Sequence, residues 1–252
     1  MSVRHDDLKG AAVFITGGGS GIGAALTAGF LAQGAKVTFV GRSDYSDFVE
    51  DMAQAHGNRP RFIRCDVTDT AALHAAMQTA HDADGGLRVL VNNAANDLRM
   101  ETADVTHAEW QEMIDVNLKP YFFACQKAGA LMGDGGAIVN FSSLSYLIGS
   151  TGMVPYVSSN AGIMGMTRAL AREWGPRGIR VNAVAPGWVL TEKQKDKWAT
   201  PEALAAFLDR QCLKRHLDPD DIVGPVLFLA SRASAMVTAQ TLVVDGGVAA
   251  TG

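Results

Sequence analysis

Short apolar runs alternate along the chain with longer stretches that have a helical period. Seven of the short runs are rich in Val, Ile and Phe, and several are apolar throughout. Continuously apolar strands are typical of a parallel sheet that helices cover on both faces. The pattern predicts strands at Ala12–Ile15, Lys36–Val40, Arg61–Ile63, Val89–Val91, Ala137–Phe141, Arg180–Ala185 and Thr241–Val244.

Helical periodicity fills most of the intervals between these runs. It predicts helices at Ile22–Gln33, Thr70–Ala80, Ala108–Leu131, Tyr156–Trp174 and Asp220–Ala230. Strands that alternate with helices are typical of an α/β fold whose sheet is wound in both directions. We therefore predict one α/β domain over residues 1–252, with a doubly wound, seven-stranded parallel sheet and helices on both faces.

The segment 187–215 departs from this alternation. Several lysines and Trp198 precede Thr200-Pro201-Glu202, in which a capping residue is followed by proline at the first helical position. We predict a small helical insert over about 187–215 that closes over a site as a substrate lid.

Composition narrows the function classes. Hydrophobic residues make up 48% of the 252 residues and the net charge is −4, so the chain buries a large core. The slight excess of acidic residues argues against nucleic-acid and anionic-membrane partners. Three scattered cysteines without a CxxC and six histidines without an HxxxH favour neither a disulfide framework nor a metal site. The N-terminus carries no apolar signal stretch, so we expect a soluble, cytoplasmic protein.

A glycine-rich turn follows the first predicted strand and precedes the first predicted helix. Phosphates need exposed backbone N–H groups and the positive end of a helix, with no Cβ in the way. This position between strand and helix favours dinucleotide binding over a purely structural loop. The predicted cofactor-binding residues of this turn are Gly17, Gly19, Ser20, Gly21, Ile22 and Gly23.

The spacing of that turn, T-G-x-x-x-G-x-G, resembles the short-chain dehydrogenase/reductase family. The resemblance spans nearly the whole chain, because further family motifs follow in order: Cys65-Asp66-Val67, Asn92-Asn93-Ala94-Ala95, Asn117, Ser143, Tyr156, Pro186-Gly187 and Asp245-Gly246-Gly247. It implies a single Rossmann-type domain and an NAD(P)-dependent oxidoreductase.

The end of the second strand bears on the choice of cofactor. NAD-specific relatives carry an acid where this chain has Gly41, whereas Arg42 and Ser43 suit the 2′-phosphate of NADP. We expect NADP, with NAD still open, since Arg42 also fits an ordinary surface arginine and Ser20 stands where many NADP-preferring relatives carry a second basic residue. The resemblance adds cofactor contacts at Asp66 and Val67 (adenine), Asn93, Ala94, Ala95, Tyr156, Asn160, Pro186, Gly187, Val189 and Thr191 (nicotinamide amide).

The catalytic residues that the resemblance implies are a tyrosine that moves the proton and a serine that binds the substrate oxygen. Tyr156 matches the first, and Ser143, thirteen residues earlier at a strand end, matches the second, with Ser142 as an alternative. A strand end and a helix start both face the crevice where such sheets bind ligands. Asn117 holds a water or interrupts its helix in this family.

One family residue is missing. A phenol has a pKa near ~10, and the family lowers it with a lysine one helical turn further on. Asn160 occupies that position, where it keeps the ability to bond ribose hydroxyls but carries no charge. The loss corresponds to ~1–3 pKa units. An engineered substitution, a naturally impaired site and a cation from elsewhere remain open, and we expect a weakened enzyme whose binding site survives.

Several stretches are similar to the sugar-oxidising members, the aldose 1-dehydrogenases. They are Asn92–Asp97, Pro186–Thr191 with Gln194, Lys197–Glu202 and Gln211–Arg215. A sugar needs several hydrogen bonds and an apolar platform for its ring. The candidate substrate contacts are Asn96, Ser143, Ser145, Tyr146, Tyr156, Trp188 and Gln194. Trp188 as a core residue and Asn96 as a turn former remain the alternatives.

Assembly and competing functions follow from the same resemblance. In the family, the tyrosine helix and the long helix before it build subunit contacts, so we expect a homotetramer. Two other functions stay open: a carbonyl reductase of 3-oxoacyl or ketosteroid type, and a catalytically silent cofactor-binding protein, which the asparagine at position 160 favours.

Overall fold

The computed structural model describes residues 3–249 and places seven strands in one parallel sheet. The strands are β1 (Ala12–Thr16), β2 (Lys36–Gly41), β3 (Arg61–Arg64), β4 (Val89–Asn92), β5 (Gly136–Phe141), β6 (Ile179–Pro186) and β7 (Thr241–Val244). Their order across the sheet is β3-β2-β1-β4-β5-β6-β7. The predicted doubly wound α/β fold is confirmed, and every predicted strand is present to within about a residue at each end.

The helices cover both faces of the sheet. They are α1 (Gly21–Ala32), α2 (Ser46–His56), α3 (Thr70–Asp84), α4 (His107–Asn117), α5 (Lys119–Leu131), α6 (Leu144–Ile148), α7 (Val154–Trp174), α8 (Glu192–Lys197), α9 (Pro201–Arg210) and α10 (Asp220–Ala230). The long helix predicted at Ala108–Leu131 is two helices that meet at Leu118. The sequence pattern missed α2 and α6, and the predicted insert at 187–215 contains α8 and α9.

Alternate side chains of β1 enter two separate hydrophobic clusters. Val13 and Ile15 pack in one cluster with Leu26 and Phe30 of α1, all of them buried. Phe14 points to the other face, where it packs in the cluster that contains the α3 residues Leu73 and Met77. A central strand buried on both faces explains the continuous apolar run in the sequence.

The sheet changes its winding direction between β1 and β4. These strands are neighbours, with Thr16 opposite Asn92, although β2 and β3 intervene in the sequence. The loops that leave β1 and β4 therefore diverge and open a crevice at the carboxyl edge, where ligands bind in such sheets. Within residues 3–249, no helix is both long enough and apolar enough to cross a membrane.

A chain of buried polar side chains joins β4, β5 and α7. The Asn92 amide donates to Asn140 Oδ1 at 2.9 Å, and the Asn140 amide donates to Thr167 Oγ1 at 3.0 Å. All three residues are buried. Buried polar groups that lose a partner cost more than the partnered bond contributes, so this chain specifies how α7 sits on the sheet.

We expect Asn140→Ala to lower the free energy of unfolding by about 1–3 kcal/mol, because it leaves buried amide and hydroxyl groups unpartnered. Urea denaturation measures the change. Gln111→Ala removes an exposed bond to Asp115 and should change stability by less than about 0.5 kcal/mol. Equal effects of the two substitutions would contradict the structural role of the buried chain.

Candidate active site

The glycine turn brings α1 into direct contact with the end of β1. Gly17 and Gly21 have φ values of +69° and +52°, a region that residues with a Cβ rarely adopt. A Cβ on Gly23 would lie 1.9 Å from the Gly17 carbonyl oxygen. Only glycine fits these positions, and the helix starts as close to the strand as the backbone allows.

Side-chain hydrogen bonds attach this turn to the loop after β4. The Thr16 hydroxyl oxygen accepts from the backbone N–H groups of Asn93 at 3.0 Å and Ala94 at 3.1 Å. The Asn93 amide donates back to the carbonyls of Thr16 at 3.2 Å and Gly17 at 3.1 Å. Two predicted cofactor segments, far apart in sequence, are therefore one rigid unit at the crevice.

The start of α1 is suited to an anion. Ser20 occupies the N-cap position, and within residues 3–249 its side chain makes no capping hydrogen bond. The first N–H groups of the helix and its positive end therefore face the turn, as phosphate binding requires. Thr191 also reaches this place, since a Cβ on Gly21 would lie 3.0 Å from its methyl carbon. The residues present fit the pyrophosphate of a dinucleotide.

Charged side chains collect beside the turn at the ends of β2 and β3. Arg42 is exposed, and its guanidinium lies 4.0 Å from the Asp66 carboxylate. Arg64, opposite Gly41 in the sheet, donates to the Arg42 carbonyl at 2.9 Å. Backbone and side-chain hydrogen bonds from Thr68, and to a lesser extent the Arg42 charge, lower the pKa of Asp66. Of the other residues predicted here, Ser43 is exposed and Val67 is buried.

Ser143 and Tyr156 meet at the carboxyl edge of β5. Ser143 caps α6, and its hydroxyl oxygen accepts from the Ser145 N–H at 3.1 Å. The Ser143 side chain also acts to lower the pKa of Tyr156, which lies in the first turn of α7. Burial raises the pKa of Tyr156, the Asp97 charge adds to that effect, and the bonds with Ser143 and Asn160 oppose it.

Asn160 is buried one turn after Tyr156 and is bonded within its own helix. Its side-chain amide donates to the Tyr156 backbone carbonyl at 2.8 Å, and its backbone carbonyl accepts from the Ser142 hydroxyl at 3.1 Å. Ser142 therefore attaches α7 to the end of β5, while Ser143 is the serine whose side chain affects the pKa of the phenol. In the described part of the chain, no positive charge is among the groups that shift the pKa of Tyr156.

Asn117 is buried where α4 ends, and it fixes the neighbouring loop. Its side-chain oxygen accepts from the Asn96 N–H at 2.8 Å, and its amide donates to the Asn96 carbonyl at 3.0 Å. The same amide donates to the Met113 carbonyl at 3.0 Å. The side chain thus interrupts the long predicted helix and holds the backbone of Asn96 at the crevice.

A hydrogen-bond network around the Asp97 carboxylate joins three of the predicted substrate and lid residues. The Trp188 indole donates to Gln194 at 2.8 Å, and the Gln194 amide donates to Asp97 at 2.5 Å. The Lys193 ammonium donates to the other Asp97 oxygen at 2.6 Å. Burial acts to raise the pKa of Asp97. The hydrogen bond and positive charge of Lys193, together with the hydrogen bond from Gln194, outweigh burial and lower it.

Asp97 is a site residue that the sequence reasoning did not select. It follows Asn96 in a motif similar to sugar-oxidising relatives, which was the one available indication. Its partners lie on α8, almost a hundred residues further along the chain, so no local pattern identifies the pairing.

The remaining predicted residues line the same edge of the sheet. Ser145 is buried, and among the described residues its hydroxyl has no hydrogen-bond partner. The Trp188 ring packs edge-on against Phe207 of α9 at 5.5 Å between centroids. Gly187 lies against Asp245, since a Cβ there would be 2.9 Å from the Asp245 Cα. The other predicted residues differ in solvent exposure. Pro186 and Val189 are buried, Ile22, Ala94 and Tyr146 are half-buried, and Ala95 is exposed.

Comparisons with known proteins agree with this geometry. Residues 17–249 match a family model described as enoyl-(acyl carrier protein) reductase. The probable galactose dehydrogenase GalD of Rhizobium meliloti (strain 1021) is 46% identical over 98% of both chains. The D-xylose 1-dehydrogenase of Caulobacter vibrioides (strain NA1000 / CB15N) is 45% identical, again over 98% of both.

Solved structures extend the likeness to three dimensions. A short-chain dehydrogenase/reductase from Serratia marcescens BCRC 10948 superposes with a TM-score of 0.90 at 33% identity, over 96% of this chain and 99% of that one. A blue fluorescent protein from a metagenomic library, in complex with NADPH, has a TM-score of 0.88 at 36% identity, over 96% and 99% of the two chains. The chain belongs to the short-chain dehydrogenase/reductase family.

Proposed function

We propose that this chain is an NADP-dependent sugar dehydrogenase that oxidises an aldose at its anomeric carbon to the lactone. The observation that carries the proposal is the likeness over 98% of both chains to a galactose and a xylose dehydrogenase. The Ser143–Tyr156 pair beside the Trp188–Gln194–Asp97 network supplies the matching chemistry. The residue assignments at the site are part of the proposal.

The crevice offers the groups that a sugar requires. The Trp188 ring is an apolar surface on which one face of a pyranose can lie. Gln194 and Asp97 provide hydrogen-bonding groups in a partly buried place, with Ser145 as a further hydroxyl. A few converging polar groups against an aromatic wall are typical of small-molecule sites. The segment with α8 and α9 is proposed to cover the sugar.

The proposed chemistry is general base catalysis on the anomeric hydroxyl. When bound, the nicotinamide ring supplies the acceptor for the hydride of the anomeric carbon. Tyr156 takes the hydroxyl proton, and Ser143 holds the same oxygen and orients it toward the phenol. A half-buried phenol without a neighbouring cation is a weak base at neutral pH, so Asn160 limits the rate of this step.

A catalytically silent, cofactor-binding protein is the second candidate. Asn160 is the observation that favours it, because the side chain is buried and bonded to Tyr156 rather than charged. The two candidates share the cofactor site and differ in whether a sugar is turned over.

Assembly and location belong to the same proposal. Trp110 of α4 and Phe122 of α5 present large apolar side chains to the surface, which supports subunit contacts through these helices in a homotetramer. A cytoplasmic location stays a prediction.

We expect slow, aldose-dependent reduction of NADP by the wild-type protein, measured as absorbance of the reduced cofactor across a panel of aldoses, polyols, 3-oxoacyl esters and ketosteroids. Galactose- and xylose-type sugars should give the highest rates. Cofactor binding in calorimetry without turnover of any sugar, both in the wild type and in Asn160→Lys, would favour the silent protein instead.

Restoring the family lysine should strengthen the base. The substitution Asn160→Lys places a positive charge near the phenol, lowers the pKa of Tyr156 and should raise kcat by about 10- to 1000-fold at neutral pH. Since activity rises as the phenol loses its proton, the pH–rate profile should move to lower pH. Asn160→Met introduces a side chain about as long as lysine but without a charge, so it should neither raise kcat nor shift the pH–rate profile. Equal profiles for the two variants would refute the missing-charge explanation.

Arg42→Ala should weaken NADP binding by about tenfold or more, because a charge-assisted bond to the 2′-phosphate contributes about 1.5–3 kcal/mol. NAD binding should hardly change. Calorimetric titration with each cofactor measures both constants. Arg59→Ala removes an exposed arginine paired with Glu50 and serves as the control. Similar losses for NAD and NADP in the Arg42 variant would contradict the preference for NADP.

A further inference from the structure

The Tyr45 ring fills the space between the glycine turn and the end of β2. A Cβ on Gly41 would lie 2.6 Å from a Tyr45 ring carbon, and a Cβ on Gly19 would lie 2.4 Å from another. For both glycines, the three nearest atoms to that Cβ all belong to Tyr45. Two glycines from different elements therefore share one reason for lacking a side chain.

Neighbouring aromatic residues hold the ring in this place. Tyr45 packs edge-on against Phe39 of β2 at 5.9 Å and against Phe62 of β3 at 5.4 Å between centroids. Its carbonyl accepts from the Val49 N–H at 3.0 Å as α2 begins. The ring is half-buried, and moving it aside would break both aromatic contacts.

The ring has a consequence for the adenosine ribose of a dinucleotide. A carboxylate at the end of the second strand of such folds accepts from the ribose hydroxyls of NAD. In this chain that position is Gly41, and the direction of its missing side chain is occupied by Tyr45. Arg42, whose exposed guanidinium lies 4.0 Å from the Asp66 carboxylate, directly follows Gly41, and its carbonyl accepts from the Arg64 guanidinium.

We propose that Tyr45 is a cofactor-specificity residue. Its ring excludes a carboxylate at position 41, so the Arg42 side chain is left to recognise the adenosine ribose and its 2′-phosphate. This deepens the proposed preference for NADP and rests on dinucleotide binding at the glycine turn. A purely structural role, in which Tyr45 only completes an aromatic cluster, makes different predictions for binding.

The test is a double-mutant cycle over positions 41 and 45, with NAD and NADP affinities from calorimetry. Gly41→Asp alone should improve NAD binding by less than about twofold, since the carboxylate meets the ring. In the Tyr45→Ala background, the same change should improve NAD binding by about tenfold or more and weaken NADP binding. An equal effect of Gly41→Asp with and without Tyr45 would overturn the proposal.

A matched control separates this role from loss of the aromatic cluster. Phe48→Ala removes another edge-on contact with Phe39, at 5.7 Å between centroids. Gly41→Asp should behave in that background as it does in the wild type. If it instead gains NAD binding there as well, the ring of Tyr45 has no specific part and the proposal fails.

If Gly41→Asp folds poorly, thermal unfolding of the cofactor-free protein still tests the steric clash between a side chain at position 41 and the Tyr45 ring. Gly41→Ala should lower Tm in the presence of Tyr45 and leave it nearly unchanged in Tyr45→Ala, and equal shifts would overturn the proposal. Wild-type protein that binds neither dinucleotide would refute the proposed function. Wild-type binding of NADP together with an uncoupled cycle would refute the role of Tyr45 alone.

Discussion

The site depends on how closely α1 approaches the end of β1. With no side chain on Gly23, the helix backbone meets the Gly17 carbonyl directly, and the positive end of the helix opens onto the gap between β1 and β4. Thr16 and Asn93 then bond the loops on the two sides of that gap to each other. The same contacts position the glycine turn and the loop that carries Asn96 and Asp97.

The chemistry at Tyr156 is governed by the charges around it. Burial and the Asp97 carboxylate both raise the pKa of the phenol, and Asn160 offers a neutral amide where a cation would lower it. Lys193 is the positively charged partner of Asp97, and their ion pair reduces the negative field that the carboxylate directs at the phenol. Because Lys193 lies on α8, the position of that helix affects the field at the Tyr156 phenol as well as the proposed sugar site.

Local patterns predicted most of the fold, and of the candidate site they could indicate only the residues that lie in short motifs. Buried parallel strands have continuous apolar runs, so all seven were predictable. In the missed helix α2, Val49 is the only buried residue among those described, while Phe48 and Met52 pack against the core from half-buried positions. The break at Asn117 depends on bonds to Asn96, and Asp97 depends on partners on α8. Contacts between distant segments leave no periodic pattern, so neither was predictable.

Gly23 and Gly41 show that glycine can be required at two positions for different physical reasons. Gly23 is required by the backbone of Gly17, a contact within one turn that the motif spacing already encodes. Gly41 is covered by the ring of Tyr45, four residues away and outside the family motif. The absence of an acid at position 41 suggested a site for a 2′-phosphate, yet the same absence follows from steric exclusion. In the proposed NADP site, the ring that excludes an acceptor for NAD therefore leaves the exposed Arg42 side chain to bind the 2′-phosphate.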